Sequence, residues 1–177
     1  MLSTIVSCED RSAGEAAGGL AENLMRTLAS LVTAKVEGLL SDVTIAGPAG
    51  MGLGAAANHA GCNFVEEACE EEWLSRALEA ARGPYILVLR SGYAPEPGFV
   101  EEANDFLAGE AKGQLPPAVL RAAPASFLER MAPSLAPAGG LIAPRDLLLR
   151  AAAGSFPKLV RRIAPAAAFR TRLRRVG

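Results

Sequence analysis

From Leu2 to Gly98 the sequence alternates short apolar runs with segments of helical period, and that alternation leaves few folds open. Leu2–Cys8 is a β-branched run that reads as a first strand. Ser12-Ala-Gly-Glu15 has capping-box spacing. Leu20, Leu24, Leu28 and Leu31 then fall at helical intervals. Asp42–Ala46 is a second strand, ending at the Gly-rich turn Gly47–Gly54, and an Ala-rich helix covers about 54–60. Cys62–Val65 is a third strand. Glu70, Glu71 and Glu72 stand where a helix dipole favours acids, and that helix turns Trp73, Leu74, Ala77, Leu78 and Ala81 inward before Gly83. Tyr85–Leu89 is apolar throughout, as a strand covered on both faces must be. Repetition of this kind predicts a mostly parallel, right-handed α/β sheet flanked by helices.

The second half is more irregular. Pro95-Glu-Pro-Gly98 precedes a helix from Phe99 to about Ala111, with Phe99, Ala103, Phe106 and Leu107 inward. Ala118–Arg121 and Gly139–Ala143 are further strand candidates. Helices are expected near Ala125–Met131 and from Pro144 to about Ala152. Phe156–Val176 is helical in pattern, interrupted at Pro165. With 177 residues, half of them apolar, the chain suits one domain with a sizeable core. Residues 1–144 read as that domain and residues 145–177 as a basic helical extension, packed on it or on a membrane surface.

The net charge of −1 hides a division. After residue 144 stand nine Lys/Arg and one acid, Asp146; before it the acids outnumber the bases. An acidic body argues against nucleic acid as a partner, and a basic tail favours phosphates or an anionic surface. Lys158, Arg161, Arg162, Arg170, Arg172, Arg174 and Arg175 interleave with Leu159, Val160, Ile163, Phe169, Leu173 and Val176. Residues 158–177 are therefore expected to form a basic amphipathic segment suited to an anionic bilayer. The three cysteines, Cys8, Cys62 and Cys69, read as reduced thiols of a cytoplasmic protein. The first residues lack a basic leader, and no apolar run approaches the roughly 20 residues that span a bilayer.

Few motifs carry chemistry outright. His59, Cys62 and Cys69 have no standard zinc spacing. Gly50-Met-Gly52-Leu-Gly54-Ala55 fits a loose dinucleotide fingerprint, with Glu66 ending the next strand as a candidate for the ribose. That pattern keeps open an NAD(P)-dependent oxidoreductase.

The order of elements resembles the family 2 glycosyltransferases of the GT-A fold. The residues carrying the resemblance are Thr4-Ile-Val-Ser-Cys-Glu-Asp-Arg11, Thr27-Leu-Ala-Ser-Leu31, Val43–Ala46 with its glycine turn, and Ala57-Asn-His-Ala-Gly-Cys-Asn-Phe-Val65. They continue through Arg76, Ala81-Arg-Gly83, Tyr85–Leu89 and Pro97-Gly-Phe99. The resemblance covers most of residues 3–108 and implies a single GT-A or Rossmann-like domain that transfers sugar from a nucleotide sugar. It places Cys8, Asp10, Gly47, Pro48, Gly50, Arg76, Arg90 and Ser91 around the nucleotide, and leaves Glu9 and Asp10 as candidate bases for the acceptor hydroxyl.

The chain departs from the family where the D-x-D carboxylates should hold a divalent cation. Arg90-Ser91-Gly92 stands there, and a guanidinium cannot ligate a metal. The expectations are therefore no metal and no other cofactor, with Arg90 meeting the diphosphate directly. Transfer would then be metal-independent or lost, and in the second case the fold would serve as a binding or scaffolding protein. The expected partners are a nucleotide sugar or nucleoside diphosphate and, through 158–177, the inner face of a bacterial-style membrane. Self-association is left open.

Overall fold

The computed structural model describes residues 1–9, 17–109, 115–151 and 154–176. The elements are β1 (Leu2–Ser7), α1 (Ala17–Val36), β2 (Leu40–Pro48), α2 (Leu53–Ala60), β3 (Asn63–Glu67), α3 (Glu70–Ala80), β4 (Tyr85–Arg90), β5 (Tyr93–Pro95) and α4 (Phe99–Ala108). They continue as β6 (Ala118–Arg121), α5 (Phe127–Met131), a 3-10 turn (Pro133–Leu135), β7 (Ala138–Pro144), α6 (Arg145–Ala151), α7 (Phe156–Ile163), β8 (Ala167–Ala168) and β9 (Leu173–Arg175). The capping-box residues Ser12–Glu15 lie outside the described residues.

Seven strands form the central sheet in the order β3-β2-β1-β4-β7-β6-β8. β1 is parallel to β2 and β4, and β3 is parallel to β2. β7 runs antiparallel to both β4 and β6, so β6 points the same way as the parallel strands. The expected α/β class, with a mostly parallel sheet between helical layers, is the observed one. β5 and β9 form a separate antiparallel ribbon.

β4 shows why a fully apolar run sits at the centre. Its side chains alternate between two cores. Tyr85, Leu87 and Leu89 join Leu24, Leu28 and Leu31 of α1, Leu53 of α2 and Phe99 of α4. Ile86 and Val88 join Trp73 and Leu74 of α3, Leu148 of α6, and Phe156 and Leu159 of α7. Full burial of each such side chain contributes roughly 1.5–3 kcal/mol before conformational entropy is charged.

The tail departs from its sequence pattern. Of the described residues in Phe156–Val176, only Phe156–Ile163 is helical, and its apolar face, Phe156, Leu159 and Ile163, is already buried against the sheet. Beyond Pro165 the chain forms β8 and β9 instead of the expected second helix. The Glu102 carboxylate accepts from the Arg170 N–H at 2.7 Å, the Thr171 N–H at 2.8 Å and the Thr171 hydroxyl at 2.6 Å. The Arg172 carbonyl accepts from the Glu96 N–H at 3.0 Å, and Arg26 donates to the Val176 carbonyl at 2.8 Å. Residues 158–176 are thus not a free amphipathic segment: the apolar face predicted to meet lipid is spent inside the domain.

Candidate functional site at the C-terminal edge of the sheet

Because β1, β2, β3 and β4 are parallel, their C-terminal ends emerge at one edge, where open α/β sheets bind ligands. The register brings Ser7 opposite both Ala46 and Arg90, and Gly47 opposite Glu66. Backbone bonds carry the alignment past the strands. Cys8 N–H donates to the Ala46 carbonyl at 2.7 Å, and Ser91 N–H donates to the Ser7 carbonyl at 2.9 Å. Cys8, Glu9, Gly47, Pro48, Arg90 and Ser91 therefore lie at adjacent strand ends. Gly50 lies on the turn that follows, with φ of 79°. Asp10 lies outside the described residues.

Arg90 continues the Ile86–Val88 row, so its side chain turns toward the second core. There it forms an ion pair with Glu9, both side chains being 11% exposed. The guanidinium carbon stands 5.7 Å from the centre of the Phe156 ring, within cation–π range. Arg90 Nε is buried without a hydrogen-bond partner among the described residues. This corrects the picture of Arg90 reaching directly for a diphosphate: in this conformation the guanidinium is held by Glu9. Glu9, expected as a free base, is held in turn.

The turn after Arg90 is fixed from α1. The Thr27 hydroxyl accepts from the Gly92 N–H at 3.0 Å and donates to the Asn23 carbonyl at 2.9 Å. Sequence reading gave Thr27 a place in a helical motif but no role. Its signal was a fully buried hydroxyl on the apolar face of a helix. Phe156 was missed as well, because only the fold brings it beneath Arg90.

Gly47 is required by close approach. A Cβ there would stand 2.7 Å from Leu53 Cδ1 and 2.9 Å from the Cys8 Cβ. Cys8 is itself fully buried, so its backbone borders the edge while its side chain faces the core. Burial pushes the Cys8 thiol up to about 12; the nearby Ser91 side chain opposes this and the Glu9 charge adds to it. The thiol is thus neutral at physiological pH and no nucleophile.

Arg76 lies apart from this group. It projects from α3, pairs with Glu67 at the end of β3, and remains 66% exposed. It stands on the flank of the edge, three strands from Arg90 in the order β3-β2-β1-β4. The Gly-rich turn faces the same edge as Glu9 and Arg90 but follows β2. A dinucleotide fingerprint belongs instead on the strand beside the switch point, where the strand order reverses, here β1.

Among the described residues no group of three or more His, Cys, Asp or Glu gathers at this edge. Nor is any helix among them long and apolar enough to cross a membrane.

No protein-family model and no curated protein matches the sequence. Solved structures do match the fold. Glucosyl-3-phosphoglycerate synthase from Mycobacterium tuberculosis superposes with a TM-score of 0.63 at 18% identity, over 99% of this chain and 72% of that one. The same enzyme with Mn2+, UDP and glucosyl-3-phosphoglycerate gives 0.60 at 17% identity, over 94% and 67%. A mycobacterial protein gives 0.59 at 19% identity, over 83% of this chain and 54% of that one. The chain spans little more than half of that mycobacterial protein and of several of the synthase structures. The likeness shows the GT-A-like fold of these glycosyltransferases. It also overturns the expectation that no cofactor is involved, since the synthase was solved with Mn2+ and UDP and with Mg2+ and UDP.

Proposed function

We propose that the chain is a glycosyltransferase-like protein that binds a nucleoside diphosphate or nucleotide sugar at the C-terminal edge of its sheet. The observation supporting this is the convergence of Glu9, Gly47–Pro48 and Arg90–Ser91 at adjacent strand ends of a GT-A-like sheet. Gly47 and the Cys8 backbone would border the nucleoside, since both stand at that edge. Ser91 would face the diphosphate on a turn held by Thr27. The Arg90–Glu9 pair lies beside that turn, with its two charges offsetting each other. Glu9 can take a proton from an acceptor only if Arg90 releases it. This favours a second reading, a binding protein on the same fold without turnover.

Calorimetry and thermal melting with UDP, UDP-glucose and NAD, each with and without Mn2+ or Mg2+, test the proposal. A nucleotide at a hundredfold excess over its Kd stabilises the fold by about 2.7 kcal/mol, so binding raises the melting temperature visibly. UDP and UDP-glucose are expected to do so and NAD is not. No shift with either uridine nucleotide, under any metal condition, defeats the proposal. Binding without hydrolysis or transfer of glucose selects the second reading.

A further inference from the structure

The loop between β6 and β7 carries the densest set of exposed large apolar side chains in the described structure. Phe127 is 72% exposed, Leu128 69%, Met131 71% and Leu135 65%. Local order holds them outward. The Ser126 hydroxyl accepts from the Glu129 N–H at 3.2 Å, and the Glu129 carboxylate accepts from the Ala125 N–H at 2.7 Å. The 3-10 turn closes from the Leu135 N–H to the Ala132 carbonyl at 2.9 Å, and Arg121 braces the base by donating to the Ala136 carbonyl at 2.8 Å. A contiguous apolar projection of this kind marks an interaction surface.

The projection has basic neighbours. β6 runs parallel to β4, so the loop leaves from the same edge as Glu9 and Arg90. β9 is fastened along that edge: the Leu173 carbonyl accepts from the Ala123 N–H at 2.8 Å, and the Val176 N–H donates to the Gly92 carbonyl at 3.0 Å. Leu173 points into the core, while Arg174 and Arg175 are exposed and Arg172 is half-buried. Arg130 is exposed on the loop itself. These four arginines pair with no carboxylate among the described residues, on a chain whose acids are concentrated before residue 145.

We propose that this end of the molecule docks on an anionic bilayer. Phe127, Leu128, Met131 and Leu135 enter the headgroup boundary, and Arg130, Arg172, Arg174 and Arg175 meet the lipid phosphates. Charge decides between occupants. A second copy packed loop to loop would bring two sets of these arginines into one isologous contact, whereas an anionic membrane complements them. The assignment also moves the anchor from the apolar face of α7, which is buried, to a loop whose apolar groups are free. Docking this way turns the candidate nucleotide edge toward the lipid.

The test is co-sedimentation of the full chain with phosphatidylcholine vesicles, with and without phosphatidylglycerol, across a salt series. It reads lipid alone and is independent of nucleotide binding. Binding is expected with phosphatidylglycerol and is expected to weaken as salt rises. F127S/L128S/M131S should lower it at least about tenfold with an unchanged melting temperature, because the replaced groups are exposed. R174E/R175E should weaken the dependence on lipid charge. In F127W the tryptophan emission should shift to the blue on vesicles. Failure of the unmodified chain to bind overturns the proposal, as does equal binding by the serine variant. A concentration-dependent dimer in light scattering that F127S/L128S/M131S dissolves, without vesicle binding, assigns the surface to a second copy instead.

Discussion

The parallel half of the sheet and the tail are held together by different physics. In β1, β2 and β4, successive side chains feed two apolar cores, and each strand is paired with a neighbour on both sides. In the tail, polar sutures over long separations decide the path. Glu102 fastens residues 68 and 69 positions later, and Arg26 fastens a carbonyl 150 positions away. Burial is non-directional and leaves a periodic trace in sequence. A suture is directional, and its partners leave no periodic trace.

The Arg90–Glu9 pair combines both, being polar and buried, and the largest effect is expected there. Arg90→Ala breaks a buried ion pair and should cost about 3–5 kcal/mol in chemical denaturation. Replacing both residues by Met should recover most of that loss, because an apolar pair of similar volume carries no desolvation penalty. If R90A proves neutral, the pair is solvated and the contrast between core and edge fails.

A smaller loss is expected on the burial side. Gly47→Ala forces a methyl group against Leu53 and the Cys8 Cβ, and overpacking of this kind costs typically about 1–3 kcal/mol. The same substitution at Gly54, where the nearest atom to an added Cβ is the Phe64 ring at 3.2 Å, should cost less, because a ring edge can yield. Equal losses at the two glycines would show that the approach at Gly47 has room to relax.

The smallest effect belongs to the tail and depends on pH. Burial acts to raise the Glu102 carboxyl. The Thr171 hydroxyl, the N–H groups of Arg170 and Thr171, and the Arg170 charge outweigh it and hold the group below its usual range. A carboxyl depressed on folding contributes stability above its unfolded pKa of about 4.3 and loses it as pH falls through the folded value. Glu102→Gln should therefore lower the melting temperature at neutral pH by an amount worth about 1 kcal/mol, and the difference should close in acid. A gap independent of pH would mean that shape, not charge, secures the tail.

These contrasts explain what could be read from residues alone. β1 to β4 and the helices between them lay within a few residues of their periodic signals, and so did the strand-end residues Glu9, Gly47 and Arg90. A parallel sheet obliges its C-terminal ends to share one edge, so alternation was enough to gather them. Periodicity mistook residues 166–176 for helix, because an interleaving of arginines with apolar residues fits either a helix face or an edge ribbon. Glu102, Ala123 and Gly92 made the choice from distant parts of the chain.

The sequence by itself determined the class of fold, the two-sided burial of β4 and the edge at which chemistry is to be sought. Those follow from apolar spacing, which acts over a few residues. Only the tertiary structure decided that Arg90 turns inward onto Glu9 and Phe156, that Thr27 holds the turn beside it, and that the densest set of exposed apolar groups belongs to the β6–β7 loop and not to α7. Each of these is a contact between residues far apart in the chain, and its geometry exists only once the sheet has set the distances.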